Sequence, residues 1–275
     1  MPSWNIHIAQ TERLLARDGA VARAVRDENA FLLGNVIPDI MVGYMVPGIA
    51  EPIPYRVTHC AEPSPIPKPR EREFWDEFVA PLAGALREGD WACGRVEPAD
   101  LRREVDRVNR IHFAHRYQGK DTPAALDAGG ARREDTVGFE RSLFDLTLGA
   151  WAHLMADNVW NTRVNEFLDA HGGKPSEEFR IKKQNDFDGF GKTLEIHTLP
   201  RETERLVRTA SAFPQYAIEP AHVHDALVVA HEIVRTNGVA VHAPYMLLTE
   251  EFFSSVFDEV LDATDAALVE RLGRA

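Results

Sequence analysis

The most constraining feature of this sequence is Val137 to Leu168, where apolar side chains recur at helical spacing and no proline interrupts them. Leu143, Phe144, Leu146, Leu148, Trp151, Leu154, Met155 and Val159 make up the core-facing set of the long helix this predicts. No segment shows the sustained strict alternation of a half-buried strand, so the partners of that helix are expected to be helices too. Asn5 to Leu33 reads as two helices interrupted near Asp18-Gly19, with Ser3 or Asn5 as cap. Glu71 to Arg87, Pro98 to His115, Arg201 to Ala212, Pro220 to Thr236 and Thr249 to Leu272 supply the others.

The connections are equally informative. Gly34 and Pro38 stop a helix, which places Asp39 on a turn just beyond its end. Val46 to Pro69 contains seven prolines and cannot be a regular helix, so His59 is expected on a loop or a short turn within one. Gly119 to Glu134 is polar and contains glycine, and a mobile loop is expected over 117–135. The expected fold is all-α, one compact multi-helix domain spanning 1–275.

Composition narrows the function. A formal charge of −12 argues against an electrostatic grip on nucleic-acid backbones or anionic membranes. A phosphate-bearing substrate stays open, because bound divalent cations reverse the local field of an acidic site. Cys60 and Cys93 are the two cysteines, so no disulfide framework is implied, and with no CxxC pair zinc-finger and thioredoxin-like redox motifs are absent. The N-terminus carries no basic region followed by an apolar one, and no apolar run is long enough to span a bilayer. A cytoplasmic location is expected, with the oligomeric state left open.

The strongest chemical signal is Gly149-Ala150-Trp151-Ala152-His153-Leu154-Met155-Ala156-Asp157. Four residues apart on a helix, His153 and Asp157 project from one face, where an imidazole nitrogen and a carboxylate oxygen can share a cation. Among Trp151, Leu154 and Met155 an unpaired carboxylate is costly to bury, and a metal or a cationic partner offsets that cost. A His–Asp hydrogen bond that merely braces a helix pair would have the same spacing. Three weaker candidates accompany the pair: His7 on the first helix, Asp39 after Pro38, and His59 after Thr58.

Taken in order, Pro2-Ser3-Trp4-Asn5-Ile6-His7, Phe31-Leu32-Leu33-Gly34-Asn35-Val36-Ile37-Pro38-Asp39, Thr58-His59 and His153-Leu154-Met155-Ala156-Asp157-Asn158-Val159-Trp160 resemble the zinc-dependent phospholipase C family, which shares its helical fold with the S1/P1-type nucleases. The resemblance covers roughly 1–60 and 140–190. It implies a fold of the phospholipase C/P1 nuclease type and a metal-dependent phosphoric ester hydrolase. It also implies that His59, His153 and Asp157 bind one zinc, with Asp39 a further ligand or the base that orients water. His7 would hold a second zinc bridged by Asp157. The partner would be a small phosphate ester, whether phospholipid, nucleotide, phosphodiester or monoester.

Two positions depart from the family pattern. Trp4 is internal, where trinuclear members use a free N-terminal tryptophan, and Arg163 stands where a further histidine is expected. Asp186 and Asp188 are the available carboxylates for an additional metal, with a loop or cap role as the alternative. One or two ions are therefore expected rather than three.

Other motifs compete less well. His224-Asp225 gives an HD-type phosphohydrolase alternative, for which His197 and Asp258 would have to complete the site. A non-catalytic metal-binding helical protein is the other alternative. His231-Glu232 opens like a zincin motif, but Arg235 occupies the second ligand position. His112 and His115 share a helix face and read as a helix surface or a pocket lining. Cys60 reads as a small packing residue.

Overall fold

A computed structural model describes residues 2–62, 66–86, 137–171, 176–239 and 241–273. Among them every regular element is helical: α1 (Trp4–Ala16), α2 (Ala20–Ala24), α3 (Glu28–Gly34), α4 (Ile37–Ile40), α5 (Tyr55–Thr58), α6 (Glu71–Phe74), α7 (Ala80–Ala85), α8 (Phe139–Ala170), α9 (Glu177–Thr193), α10 (Glu204–Ser211), α11 (Pro220–Arg235) and α12 (Glu250–Leu272). A lone bridge between Ala61 and Pro69 closes the proline-rich segment. No helix among the described residues is long and apolar enough to cross a membrane. The expected helix 98–115 and the expected loop 117–135 lie outside the described residues.

The 32-residue α8 is the element the others surround. Phe144, Leu146, Leu148, Trp151 and Leu154 are fully buried along it, as the spacing requires. Its closest neighbour is α3, and the two backbones meet at glycines. A Cβ on Gly149 would sit 2.2 Å from the Phe31 carbonyl oxygen, and one on Gly34 would sit 2.0 Å from that of Leu146. A buried polar clasp holds the same pair at its outer end. Asp145 accepts from Arg141 (Nη2 to Oδ1, 3.0 Å) and from the backbone N–H groups of Arg26 and Asp27 at 3.0 and 2.7 Å. Asp27 in turn caps α3 through the Ala30 N–H (3.0 Å) and takes the Ser142 hydroxyl at 2.6 Å. Both carboxylates of the clasp accept hydrogen bonds, although burial still pushes the Asp145 carboxyl up to about 6.

Three local outcomes differ from the sequence reading. The first 34 residues form three helices, because Arg17 and Val25 both turn extended, at ψ of 156° and 136°. Asp39 lies within the short helix α4, whose first turn contains Pro38, and not on a turn beyond a helix. Residues 177–193 form a full helix, α9, that apolar periodicity does not disclose. Its signal is the start: Ser176 Oγ accepts from Phe179 N–H at 3.1 Å, and Glu177 and Glu178 occupy the positive first turn. Between α6 and α7 a π-type turn, Trp75–Val79, joins both into one run. Pro81 offers no N–H, and the Ala80 N–H bonds five residues back to Trp75.

Gly149→Ala is expected to destabilise the protein by about 1–3 kcal/mol or more, because the added methyl meets backbone that cannot rotate away. Urea unfolding compared with the exposed-site control Gly84→Ala, where an added Cβ meets nothing within 4 Å, checks this.

Candidate metal centre

Five side chains that are far apart in the numbering converge beside the α3–α8 contact. Helix α1 supplies His7, α4 supplies Asp39, the residue after α5 is His59, and α8 supplies His153 and Asp157. The three histidines and Asp157 are buried to 1% exposure or less, and Asp39 to 8%. His59 owes its position to the way α5 ends. Cys60 adopts the left-handed conformation (φ 48°), with Cys60 N–H bonded to Val57 O and Ala61 N–H to Arg56 O. That pair of bonds is a Schellman ending, made here without the usual glycine. Burial pushes the Cys60 thiol up to about 11, in keeping with a packing role.

The protonation of two imidazoles follows from their outer partners. His153 Nδ1 faces the Asn35 carbonyl at 2.7 Å and must donate to it. Thr58 Oγ1 donates to Tyr55 O (3.3 Å), so it accepts from His59 Nδ1 at 2.7 Å. When both rings are neutral, both Nε2 atoms therefore carry lone pairs and face each other at 3.1 Å. Two acceptors so close in a buried site repel unless a cation lies between them. Carboxylate oxygens complete the arrangement: Asp39 Oδ1 is 3.4 Å and Asp157 Oδ2 3.7 Å from His59 Nε2, and each carboxylate reaches 3.9 Å from His153 Nε2. Neighbouring ligands around a tetrahedral zinc with bonds of about 2.0–2.1 Å are roughly 3.3 Å apart. The donor set and its spacing fit that ion.

On the far side of Asp157, its Oδ1 lies 3.4 Å from His7 Nε2. Neither that oxygen nor either His7 nitrogen finds a hydrogen-bond partner among the described residues. The His7 ring stacks on that of His153 at 3.9 Å. Two donor groups of metal-binding dimensions result, His7–His153–Asp157 and Asp39–His59–His153. Because Asn35 occupies Nδ1 of His153, only its Nε2 is free, and it can serve one ion at a time.

Outer partners that the sequence reading left without a role fix the carboxylates. Trp4 Nε1 donates to Asp39 Oδ2 at 2.9 Å, and the Tyr55 hydroxyl donates to Asp157 Oδ2 at 2.7 Å while its ring stacks on His59 at 3.7 Å. Each sits one turn from a candidate ligand, Trp4 before His7 and Tyr55 before His59, the one signal that could have found them. Burial favours the neutral carboxyl of Asp39, but His153 and His59 beside it bring its pKa down to about 2. Burial and His7 pull His153 down to about 3, so the imidazole is neutral at ordinary pH. Burial also raises the Asp157 carboxyl, but His7, His153 and His59 outweigh it and hold it below the usual range. Burial, then Asp157, push the Tyr55 hydroxyl well above its normal range, which keeps it a donor.

The further carboxylates do not join. Asp186 is buried on α9 and accepts the backbone N–H groups of Met246, Leu247 and Leu248 at 2.6, 2.8 and 2.9 Å. These three bonds anchor the chain ahead of α12. Asp188 takes the Gln184 amide on the same helix at 3.0 Å. Neither belongs to a metal-sized group among the described residues. Arg163 pairs with Glu259 and Glu166. His224 is tied to Glu202 at 2.7 Å, the side chain of His197 is 57% exposed, and no metal-sized group of described residues contains them, Asp225 or Asp258. Glu232 pairs with Arg235. His112 and His115 lie outside the described residues. No family model, no curated protein and no solved structure matches this chain.

The depressed pKa of His153 has a defined consequence for the metal-free protein. Its folded value, about 3, lies below the usual 6.5, so the native state holds fewer protons than the unfolded chain between those values. The stabilisation from neutral His153 is complete above 6.5 and is lost as pH falls towards 3. Chelator-treated protein is expected to lose a few kcal/mol of stability over that window in urea titrations, and His153→Gln is expected to flatten the slope.

Proposed function

We propose that this chain is a zinc-dependent hydrolase of phosphate esters with a helical fold of the phospholipase C/P1 nuclease type. The observation that carries the reading is the 3.1 Å approach of His59 Nε2 and His153 Nε2, with two ionised carboxylates beside them in a buried site. Asp39, His59, His153 and Asp157 Oδ2 would hold one ion, and His7 with Asp157 Oδ1 a second. When bound, zinc lowers the pKa of water towards ~7 and offsets the charge that develops on phosphoryl oxygens.

The chain's own groups prepare this. Tyr55 holds one oxygen of Asp157 and leaves the other turned towards His7, so one carboxylate can serve both sides. Trp4 fixes Oδ2 of Asp39 and turns Oδ1 towards His59. With a pKa of about 2, Asp39 is a poor reservoir for a proton, so it suits ligation and the orientation of water better than proton storage. Phosphoryl transfer to water fits a centre that concentrates positive charge within an acidic chain. The resemblance in the Trp-Asn-Ile-His, Leu-Gly-Asn and Pro-Asp contexts supplies the reaction class.

Elemental analysis of the purified protein, coupled to a panel of phosphatase and phosphodiesterase substrates, tests the reading. One or two equivalents of zinc and hydrolysis of at least one phosphate ester are expected. Asp157→Ala should remove metal and activity together, whereas Asp39→Ala should keep part of the metal. Metal below about a tenth of an equivalent, with no stabilisation when zinc, manganese or iron is added, would sink the proposal. Stoichiometric metal with no turnover on any substrate would leave a non-catalytic metal-binding protein.

A further inference from the structure

Two of the candidate ligands belong to very short elements: Asp39 lies in α4, and His59 directly follows α5. Each helix has four residues, too few to hold its shape or its place without tertiary bonds. Chain from the C-terminal third supplies such bonds to both. In the connection that follows α10, the Tyr216 hydroxyl donates to Ile37 O in α4 at 3.2 Å. Its neighbour Gln215 donates from Nε2 to Val57 O in α5 at 2.7 Å, and that nitrogen lies 3.6 Å from Cys60 Sγ. Each accepting carbonyl is two residues ahead of a candidate ligand.

These bonds act where the ligands are set. Val57 O also accepts the Cys60 N–H, one of the two bonds of the Schellman ending, so Gln215 takes up the second lone pair of that oxygen. A carbonyl can face only the NH2 side of the amide, which fixes the orientation of Gln215. Burial, then the charge of Asp39, push the Tyr216 hydroxyl well above its usual range and keep it a donor. The connection is itself anchored. Ser211 Oγ reaches Ile218 O at 3.1 Å across its base. Phe213 is buried, with its ring 5.2 Å from that of Tyr216 and 6.4 Å from that of Phe74. Helix α10 packs in turn against α3 and α8, the pair beside which the centre forms.

We propose that Gln215 and Tyr216 are positioning residues for the metal centre. Side by side in the sequence, they tie the backbone ahead of His59 and the backbone ahead of Asp39 to one anchored connection, and so set the separation of the two ligands. The proposal rests on the metal-centre reading above and extends it to chain beyond α10. The donors matter here and not the bulk, so near-isosteric variants test it: Tyr216→Phe keeps the ring, and Gln215→Met keeps the length. Ser176→Ala is the control for a general loss of stability, because Ser176 caps α9 and bonds none of the five candidate ligands. Zinc affinity of the full chain is measured by competition with a chromophoric chelator. Visible absorption of the cobalt(II)-loaded chain reports the geometry of the ligands.

Tyr216→Phe and Gln215→Met are each expected to weaken zinc binding about three- to tenfold, the loss of one outer hydrogen bond. Both should also change the position or intensity of the cobalt bands, and the double variant should exceed either. Ser176→Ala should lower the urea midpoint and leave both metal readouts at their wild-type values. Should circular dichroism show one variant unfolded, the other carries the test. Cobalt bands that stay as in wild type overturn the proposal, whether or not zinc binds more weakly, because weaker binding alone is what destabilisation gives. A change in one variant only would overturn the role of the other residue. A wild-type chain that takes up no zinc would overturn the reading of the centre itself, so wild-type uptake tells the two failures apart.

Discussion

The approach of α3 to α8 through Gly34 and Gly149 is the constraint on which the centre depends. With no side chain between the two backbones, the carbonyl of Asn35 comes within hydrogen-bonding distance of His153, one turn along α8 from the contact. That single bond decides which nitrogen of His153 is free and where it points. It also brings α4, and therefore Asp39, to the same end of α8. A small displacement of α3 would move the outer partner of one candidate ligand, His153, and another candidate ligand, Asp39, together. The buried clasp of Arg141, Asp145, Asp27 and Ser142 keeps that displacement small.

Electrostatics set the second requirement. Burying two carboxylates and three imidazoles in one place is costly unless each atom not meant for an ion has a partner. The structure meets this on the outer side of nearly every group: indole on Asp39, phenol on Asp157, carbonyl on His153, hydroxyl on His59. His7 is the exception, with both nitrogens unmatched among the described residues. Its ring is held instead by stacking on His153. Of its two nitrogens, Nε2 is the one turned towards Asp157 Oδ1, at 3.4 Å.

Much of this was legible in the sequence, for identifiable reasons. The four-residue spacing of His153 and Asp157 places both on one helix face whatever else the chain does. The long apolar stripe around them requires that face to be covered. His7, Asp39 and His59 were legible as members of an ordered set, and the structure brings all five together. The outer partners were not, because a carbonyl such as that of Asn35 is chosen by packing and leaves no mark on residue type. Helix α9 was obscured by Gly189 and Gly191 and by its sparse apolar residues; the glycine at 191 serves close contact with Ser3 and Asn5. Asp186 was visible as a carboxylate, but its task of gathering three backbone N–H groups depends on chain sixty residues away.

The Schellman ending at Cys60 has a consequence beyond placing His59. A side chain other than glycine in the left-handed region is held there only by its surroundings, and such a conformation costs on the order of 1–3 kcal/mol. Here the surroundings are the proline-rich segment, whose few permitted shapes already limit how the unfolded chain can wander. An ion joining His59 to α1, α4 and α8 would therefore act as a cross-link that rivets a tensioned, pre-stiffened strap onto the helical body.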